Sequence, residues 1–381
     1  MDRPARILHC HSTFLLGGKE ARAVRLMNAF GDAAEHVVLS AVPDALAARD
    51  AIDPAIRVVF PGEDGAPSLR GKPGLRRYAG LAAYMAGFDL VLSYNWGAMD
   101  AVGARRLYGG VRRLPPLIHH EDGFNEDEAV RQKPLRVWFR RMALPAAERL
   151  VVPSHRLETI ARSVWRQPER RIERIPNGIR LPDDGELAAP LPIPGLTSGG
   201  GLVIGTVAGL RPVKNLARMV RIFAAGAPAD ARLVILGDGP DRPVILAEAE
   251  RLGVAGRLVM PGFVRDPVRH MAAFDIFALS SDSEQFPISL VEAMACGLPG
   301  LMTDVGDIGA MVAPENRSFV GPKEDERGLA AGLVKLAADP ALRRAIGTAN
   351  RAVALRNFSE EAMILRYRSL YWQAMEACLT R

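Results

Sequence analysis

Short apolar runs alternate with helix-periodic stretches along almost the whole chain, and few architectures tolerate that pattern. A strand that pairs with a parallel neighbour must be reached by a crossover, and a helical crossover packs back on the sheet in one hand. Runs at residues 6–10, 36–41, 56–60, 90–94, 117–120 and 150–153 predict the strands of one parallel sheet. Runs at 202–207, 232–236, 258–260, 275–279 and 300–303 predict those of a second. Between the two sets, residues 181–201 are dense in Pro and Gly and read as a linker. The chain therefore reads as α/β, with two doubly wound domains facing across a cleft. In such sheets ligands lie beyond the carboxyl ends of the strands, so the loops after the strands are where chemistry is expected.

At 381 residues, 49% hydrophobic and 24% charged, the chain is long enough for two cores and shows no sign of wholesale disorder. No apolar run reaches the roughly 18 residues of a spanning helix. The first residues lead into a strand without a secretory apolar region, so the expected location is cytoplasmic. Cys10, Cys296 and Cys378 are scattered and lack C-x-x-C spacing, which argues against a disulfide framework and a structural zinc site. The net charge of +6 admits nucleic acid, an anionic membrane or an anionic substrate as partner. Basic clusters fall at Arg70, Lys72, Arg76 and Arg77, at Arg105, Arg106, Arg112 and Arg113, and at Arg131, Lys133, Arg136, Arg140 and Arg141. No zinc-finger spacing or aromatic RNA-binding signature accompanies them, which argues against nucleic acid. In the third cluster Leu135, Trp138, Phe139 and Met142 recur at helical spacing. That pattern reads first as a helix packed on its own sheet with arginines in water, and secondly as peripheral attachment to an anionic membrane.

The segment from Ser283 to Pro299 holds two carboxylates across a loop-to-helix junction. Residues 280–285 read as a polar loop and Pro287 as the first helical residue, which places Glu284 at the loop tip and Glu292 inside the helix. Between them the unpaired N–H groups of the first turn suit phosphate or sugar oxygens. This segment resembles the E-x7-E motif of the retaining glycosyltransferases of family GT4, which have the GT-B fold of two Rossmann-like domains. The resemblance extends to the loop Gly205 to Asn215, to the turn Gly237-Asp238-Gly239, to Pro261 to Asp266, and to Pro176-Asn177-Gly178. It implies an acceptor-binding domain at 1–183, a linker at 184–200, a nucleotide-sugar domain at 201–357, and a helix at 358–381 crossing back to the first domain.

What the resemblance implies can be stated residue by residue. Lys214 holds the donor diphosphate together with an arginine; the family's Arg falls on Gly209, so the role passes to Arg211. Gly237 belongs to the glycine turn, and Phe263 and Val264 to the segment that meets the nucleobase. Glu292 binds the ribose, Glu284 meets the sugar ring, and Phe286, Pro287 and Ile288 line the donor pocket. Gln285 stands where the family has Gly, so the sugar preference is expected to differ; Gly300 and Asp307 also depart from the usual pattern, without touching the paired glutamates. In the first domain Gly17 and Gly18 resemble the loop that faces the donor phosphates, and either His119 or His120 lies near the reacting sugar. The implied reaction is hexosyl transfer from an NDP-sugar, without metal or other cofactor, to a carbohydrate or lipid-linked acceptor in cell-surface polysaccharide or glycolipid synthesis. Closure is expected to hinge on the proline-rich segment and the final helix. Two other readings stay open: a catalytically silent sugar-nucleotide-binding subunit, and a sugar-nucleotide epimerase of the same fold.

Overall fold

The computed structural model describes residues 3–379 apart from 63–64, 72, 125–127, 129–131 and 197–200. Arg131 and Lys72 of the basic clusters lie outside the described residues. The chain forms two compact units, Met1–Asn177 with Ala362–Arg381, and Gly178–Glu361.

The first unit is built on a seven-stranded parallel sheet: β1 (Ala5–His11), β2 (Ala34–Ser40), β3 (Val58–Val59), β4 (Leu90–Tyr94), β5 (Leu117–His120), β6 (Arg149–Val152) and β7 (Ile172–Arg174). Its order is β3-β2-β1-β4-β5-β6-β7. The central strands are buried on both faces, which is why they read as continuous apolar runs rather than alternating ones. Two hydrophobic clusters flank the sheet. Tyr367, Tyr371, Ala374 and Met375 of the C-terminal helix, Glu360–Leu379, fill one of them.

The second unit has a six-stranded parallel sheet: β8 (Val203–Val207), β9 (Arg232–Leu236), β10 (Leu258–Gly262), β11 (Ile276–Leu279), β12 (Gly300–Thr303) and β13 (Val320–Gly321). Its order is β10-β9-β8-β11-β12-β13. The sequence pattern missed β7 and β13, two or three residues long and half buried, which carry too little apolar periodicity to read. Asp275, read as the start of a strand, instead precedes β11 and accepts the Val203 N–H at 2.8 Å.

Residues 184–196, read as linker, belong to the second unit. Asp183 and Glu186 form a capping box for the short helix Asp184–Ala188, Leu191 N–H donates to the Arg269 carbonyl at 3.0 Å, and Ile193 is buried. Leu191, Ile193 and the Arg351–Asp184 pair at 2.7 Å tie this segment to the rest of the second unit.

Candidate functional site

In the second sheet the chain runs outward from β8 to β9 and β10, then returns to the other side of β8 as β11. This reversal is the topological switch point, and in open α/β sheets ligands bind beyond the carboxyl ends of the strands there, here β8 and β11. Lys214 comes from the loop after β8 and Glu284 from the loop after β11, and their charged groups meet at 2.5 Å. Ser281 Oγ donates to the same Glu284 oxygen at 2.7 Å. Both side chains are largely withdrawn from water, at 19% and 9% exposure.

The two loops are fixed to one another by more than this pair. Asp282 N–H donates to the Val213 carbonyl at 2.8 Å, and Asn215 Nδ2 donates to the Asp282 carboxylate at 3.1 Å. Asn215 takes a left-handed conformation, φ 45°, and its side chain caps the helix Leu216–Gly226 by accepting from Arg218 N–H. Arg218 then reaches the Asp282 carboxylate at 2.8 Å and the Ser280 carbonyl at 2.9 Å. The helix Ile288–Ala295 follows Pro287, which sits at the cap position rather than the first helical one. Glu292 is half buried one turn inside it, and Phe286 packs edge-on against Phe358.

Two glycines are dictated by close approach. A Cβ on Gly237, φ 142°, would stand 1.9 Å from the Ala208 carbonyl oxygen, and one on Gly306, φ 65°, 2.2 Å from that of Glu284. The neighbouring loops are thus pressed onto the β8 and β11 loops. Arg211 is exposed, and its Nε lies 3.6 Å from where a Cβ of Gly209 would be. The guanidinium therefore folds back over the glycine instead of extending away from it. Phe263, just after β10, is largely exposed, and Val264 is half buried. Gln285 holds a buried Oε1 without a hydrogen-bond partner among the described residues. Among the described residues no group of three His, Cys, Asp or Glu is arranged to hold a metal ion.

The first unit places its candidates differently. Gly17 and Gly18 are exposed and open the helix Gly18–Phe30, with Gly17 as its extended cap. His119 and His120 alternate across β5 and are both buried. His119 Nδ1 meets Ser93 Oγ at 2.8 Å and its Nε2 faces Glu121, which also pairs with buried Arg140. Burial acts on the Glu121 carboxyl, yet Arg140 and His119 hold it below the usual range.

His120 points to the opposite face and belongs to a chain of buried polar rings that sequence reasoning did not find. Its Nδ1 lies 3.3 Å from the Ser93 carbonyl, which can only accept, so Nδ1 carries the proton and Nε2 accepts from Tyr371 O–H at 2.8 Å. Tyr94 Oη lies 3.2 Å from His9 Nδ1. His9 Nε2 lies 3.0 Å from His36 Nδ1, so one of these two nitrogens donates to the other. His11 stacks on Tyr94 with centroids 4.1 Å apart. Every imidazole in this assignment is neutral, and burial pushes all four basicities down, His36 to about 4. The available signal was histidine at alternating positions 9 and 11 of one strand, with 36 on the neighbouring β2 and 120 on β5, two strands away. Arg22, also unanticipated, is buried against the Asp122 carboxylate and donates to Asn177 Oδ1 at 2.9 Å.

Comparison with known proteins places both units. Residues 6–181 match the profile "Glycosyltransferase Family 4", and residues 195–353 match "Glycosyl transferases group 1". The N-acetyl-alpha-D-glucosaminyl L-malate synthase of Bacillus anthracis is 29% identical over 44% of this chain and 45% of its own length. The 2-deoxystreptamine glucosyltransferase of Streptomyces kanamyceticus is 30% identical over 55% and 56%. The matched stretch spans about half the length of these curated relatives. The Anabaena HepE structure in complex with UDP superposes with a TM-score of 0.75 at 18% identity, covering 96% of this chain and 99% of that one. With one family profile on each of its two parallel sheets, the chain belongs to the GT4 glycosyltransferases and has the GT-B fold.

Proposed function

We propose that this chain is a retaining hexosyltransferase that takes an NDP-sugar as donor and a carbohydrate or lipid-linked hydroxyl as acceptor. The observation that carries the reading is the Lys214–Glu284 pair at the switch point of the second sheet, beside the first turn of the helix Ile288–Ala295. Structures similar in fold are described with UDP, with UDP and glucose, and with UDP-glucose, and relatives include transferases acting on lipid-linked sugars.

The chemistry follows from charge. Breaking the anomeric C–O bond leaves a diphosphate whose developing charge must be met. Lys214, Arg211 and the N–H groups of the helix's first turn serve that need, and the proposal uses no metal or cofactor. Glu284 accepts from sugar hydroxyls and Glu292 from the ribose. Retention requires the acceptor to attack from the face the diphosphate leaves. The departing phosphate oxygen is then the nearest base, and it takes the acceptor's proton as the new C–O bond forms.

Substitution of Glu292 by Ala is expected to weaken donor binding, and Lys214→Ala to slow transfer more than binding. Calorimetry and initial rates separate the two, and unchanged affinity and turnover in both variants would remove the site. A thermal-shift panel of nucleotide sugars identifies the donor, since a ligand at about 100 times its Kd adds about 2.7 kcal/mol. A shift without transfer to any acceptor would favour the silent-subunit reading, a rearranged sugar without acceptor the epimerase, and no shift with any member would count against a donor site altogether.

A further inference from the structure

The helix Pro134–Ala143 does not bury the apolar stripe its sequence suggests. Phe139 packs edge-on against Trp96, and Arg140 and Ala143 are buried, but Leu135 is 82% exposed, Trp138 is 60% exposed, and Met142 is exposed beside them. These three residues lie at i, i+3 and i+7, on one face. A stripe of that kind on a surface helix is unusual, because such residues normally cover the core.

The stripe continues onto neighbouring elements. Arg106 Nε donates to the Met142 carbonyl at 3.2 Å, which brings the end of the helix Met99–Tyr108 against the end of the first helix. Tyr108 Oη in turn reaches the Leu75 carbonyl at 3.5 Å, at the start of the helix Leu75–Met85. Leu75, Leu107 and Val111 at these junctions are all exposed. Around them stand Arg70, Arg76, Arg106, Arg112 and Arg113, exposed and without a carboxylate partner among the described residues. The three stretches 65–88, 101–120 and 132–147 that build this surface contain no Asp or Glu at all. Carboxylates that flank these stretches, Asp89, Asp100, Glu128 and Glu148, are each paired, with Arg3, Arg77, Arg136 and Arg149.

We propose that this surface of the first unit docks on an anionic lipid bilayer. Leu135, Trp138 and Met142 enter the headgroup boundary, and the arginines pair with lipid phosphates around them. Charge complementarity selects the occupant. A second copy would set the same arginines against one another, and a soluble polyanion would leave the apolar stripe in water. Tryptophan beside arginine is the pairing that suits an interface wet on one side and apolar on the other. Each arginine near an anionic surface contributes about a fivefold gain in partition, and the contribution weakens as salt rises.

The test uses the full chain and co-sedimentation with vesicles of mixed phosphatidylglycerol and phosphatidylcholine, against vesicles of phosphatidylcholine alone. The expected result is binding to the anionic vesicles that falls between about 0.1 M and about 1 M salt, as the Debye length drops from about 10 Å to about 3 Å. The double substitution Leu135→Ser with Trp138→Ser lowers partition about tenfold or more, and Arg112→Glu with Arg113→Glu does the same, with unaltered thermal stability because the side chains are exposed. Failure to bind anionic vesicles overturns the proposal. So does binding indifferent to both double variants, or a concentration-dependent dimer that they abolish. Donor-induced thermal shifts are unaffected by these variants, so the outcome is separable from that of the donor site.

Discussion

Acidification between pH 6.5 and 5 should destabilise the first unit selectively. His9, His11, His36 and His120 are buried in neutral form, and burial lowers the basicity of each, His36 to about 4 from an ordinary 6.5. The groups around them are Lys19, Arg22, Asp122, Tyr94, Tyr367 and Tyr371, and the cations among them oppose a further positive charge. As pH falls below 6.5 the unfolded chain takes up protons that the folded unit refuses, so stability declines with a slope of about 1.4 kcal/mol per pH unit per histidine. For His36 the loss by pH 5 is about 2 kcal/mol, and His9, His11 and His120, also lowered by burial, add losses of the same sign. The carboxylates Glu121, Glu248 and Glu326 are held below their usual range, so their own loss comes at lower pH, under about 4.5. The assay is convenient because all four tryptophans, Trp96, Trp138, Trp165 and Trp372, lie in the first unit. Urea titrations followed by tryptophan fluorescence at pH 7.5, 6.5, 5.5 and 5 therefore read that unit alone. A His36→Gln variant should lose one histidine's share of the slope. A fluorescence transition whose free energy is level from pH 7 to 5 would refute the neutral-imidazole assignment.

Gly237→Ala should destabilise the second unit by about 2 kcal/mol or more, because its Cβ meets backbone rather than a movable side chain; thermal melting without ligand measures this. Arg211→Ala should raise the KM for the donor and lower kcat if the guanidinium above Gly209 meets the diphosphate, and kinetics indistinguishable from the parent would return Arg211 to the solvent. Activity should be indifferent to a chelator, since the proposed charge neutralisation rests on Lys214 and the helix terminus; loss on chelation and recovery with a divalent ion would contradict it.

The parallel sheets were legible because strands buried on both faces write themselves as apolar runs, and each crossover helix repeats its own period. Short edge strands such as β7 and β13 carry no such signature. Lys214 and Glu284 were singled out by the resemblance of their loops to the family's motifs, and the structure brings the two side chains together. Their mutual contact was not legible, since pairing across about seventy positions depends on sheet order. The histidine–tyrosine chain was invisible for the same reason: its members come from β1, β2, β4, β5 and the C-terminal helix. The helix Pro134–Ala143 shows the opposite failure. Its period was read correctly, but period alone does not say which face turns to the core, and here Phe139 and Arg140 took the interior.

The Lys214–Glu284 contact also decides how a substitution at either end must be read. In the structure each charge satisfies the other, with Ser281 also donating to Glu284. On the proposed reading a donor takes both halves at once, phosphate for the lysine and sugar hydroxyls for the glutamate, and neither charge is left unpaired. Lys214→Ala breaks that symmetry. It removes the phosphate partner and leaves a carboxylate only 9% exposed with a hydroxyl as company, at a cost of about 1–3 kcal/mol to the empty site. Part of its effect on turnover would then belong to Glu284. A cycle of Lys214→Met, Glu284→Gln and the double variant separates the two. If the residues act as one exchanging pair, the double variant is nearly as stable as the parent while its kcat falls as far as that of the worse single variant. Additive losses in kcat would mean that the two side chains meet the donor independently, and that their contact in the empty site is incidental to catalysis.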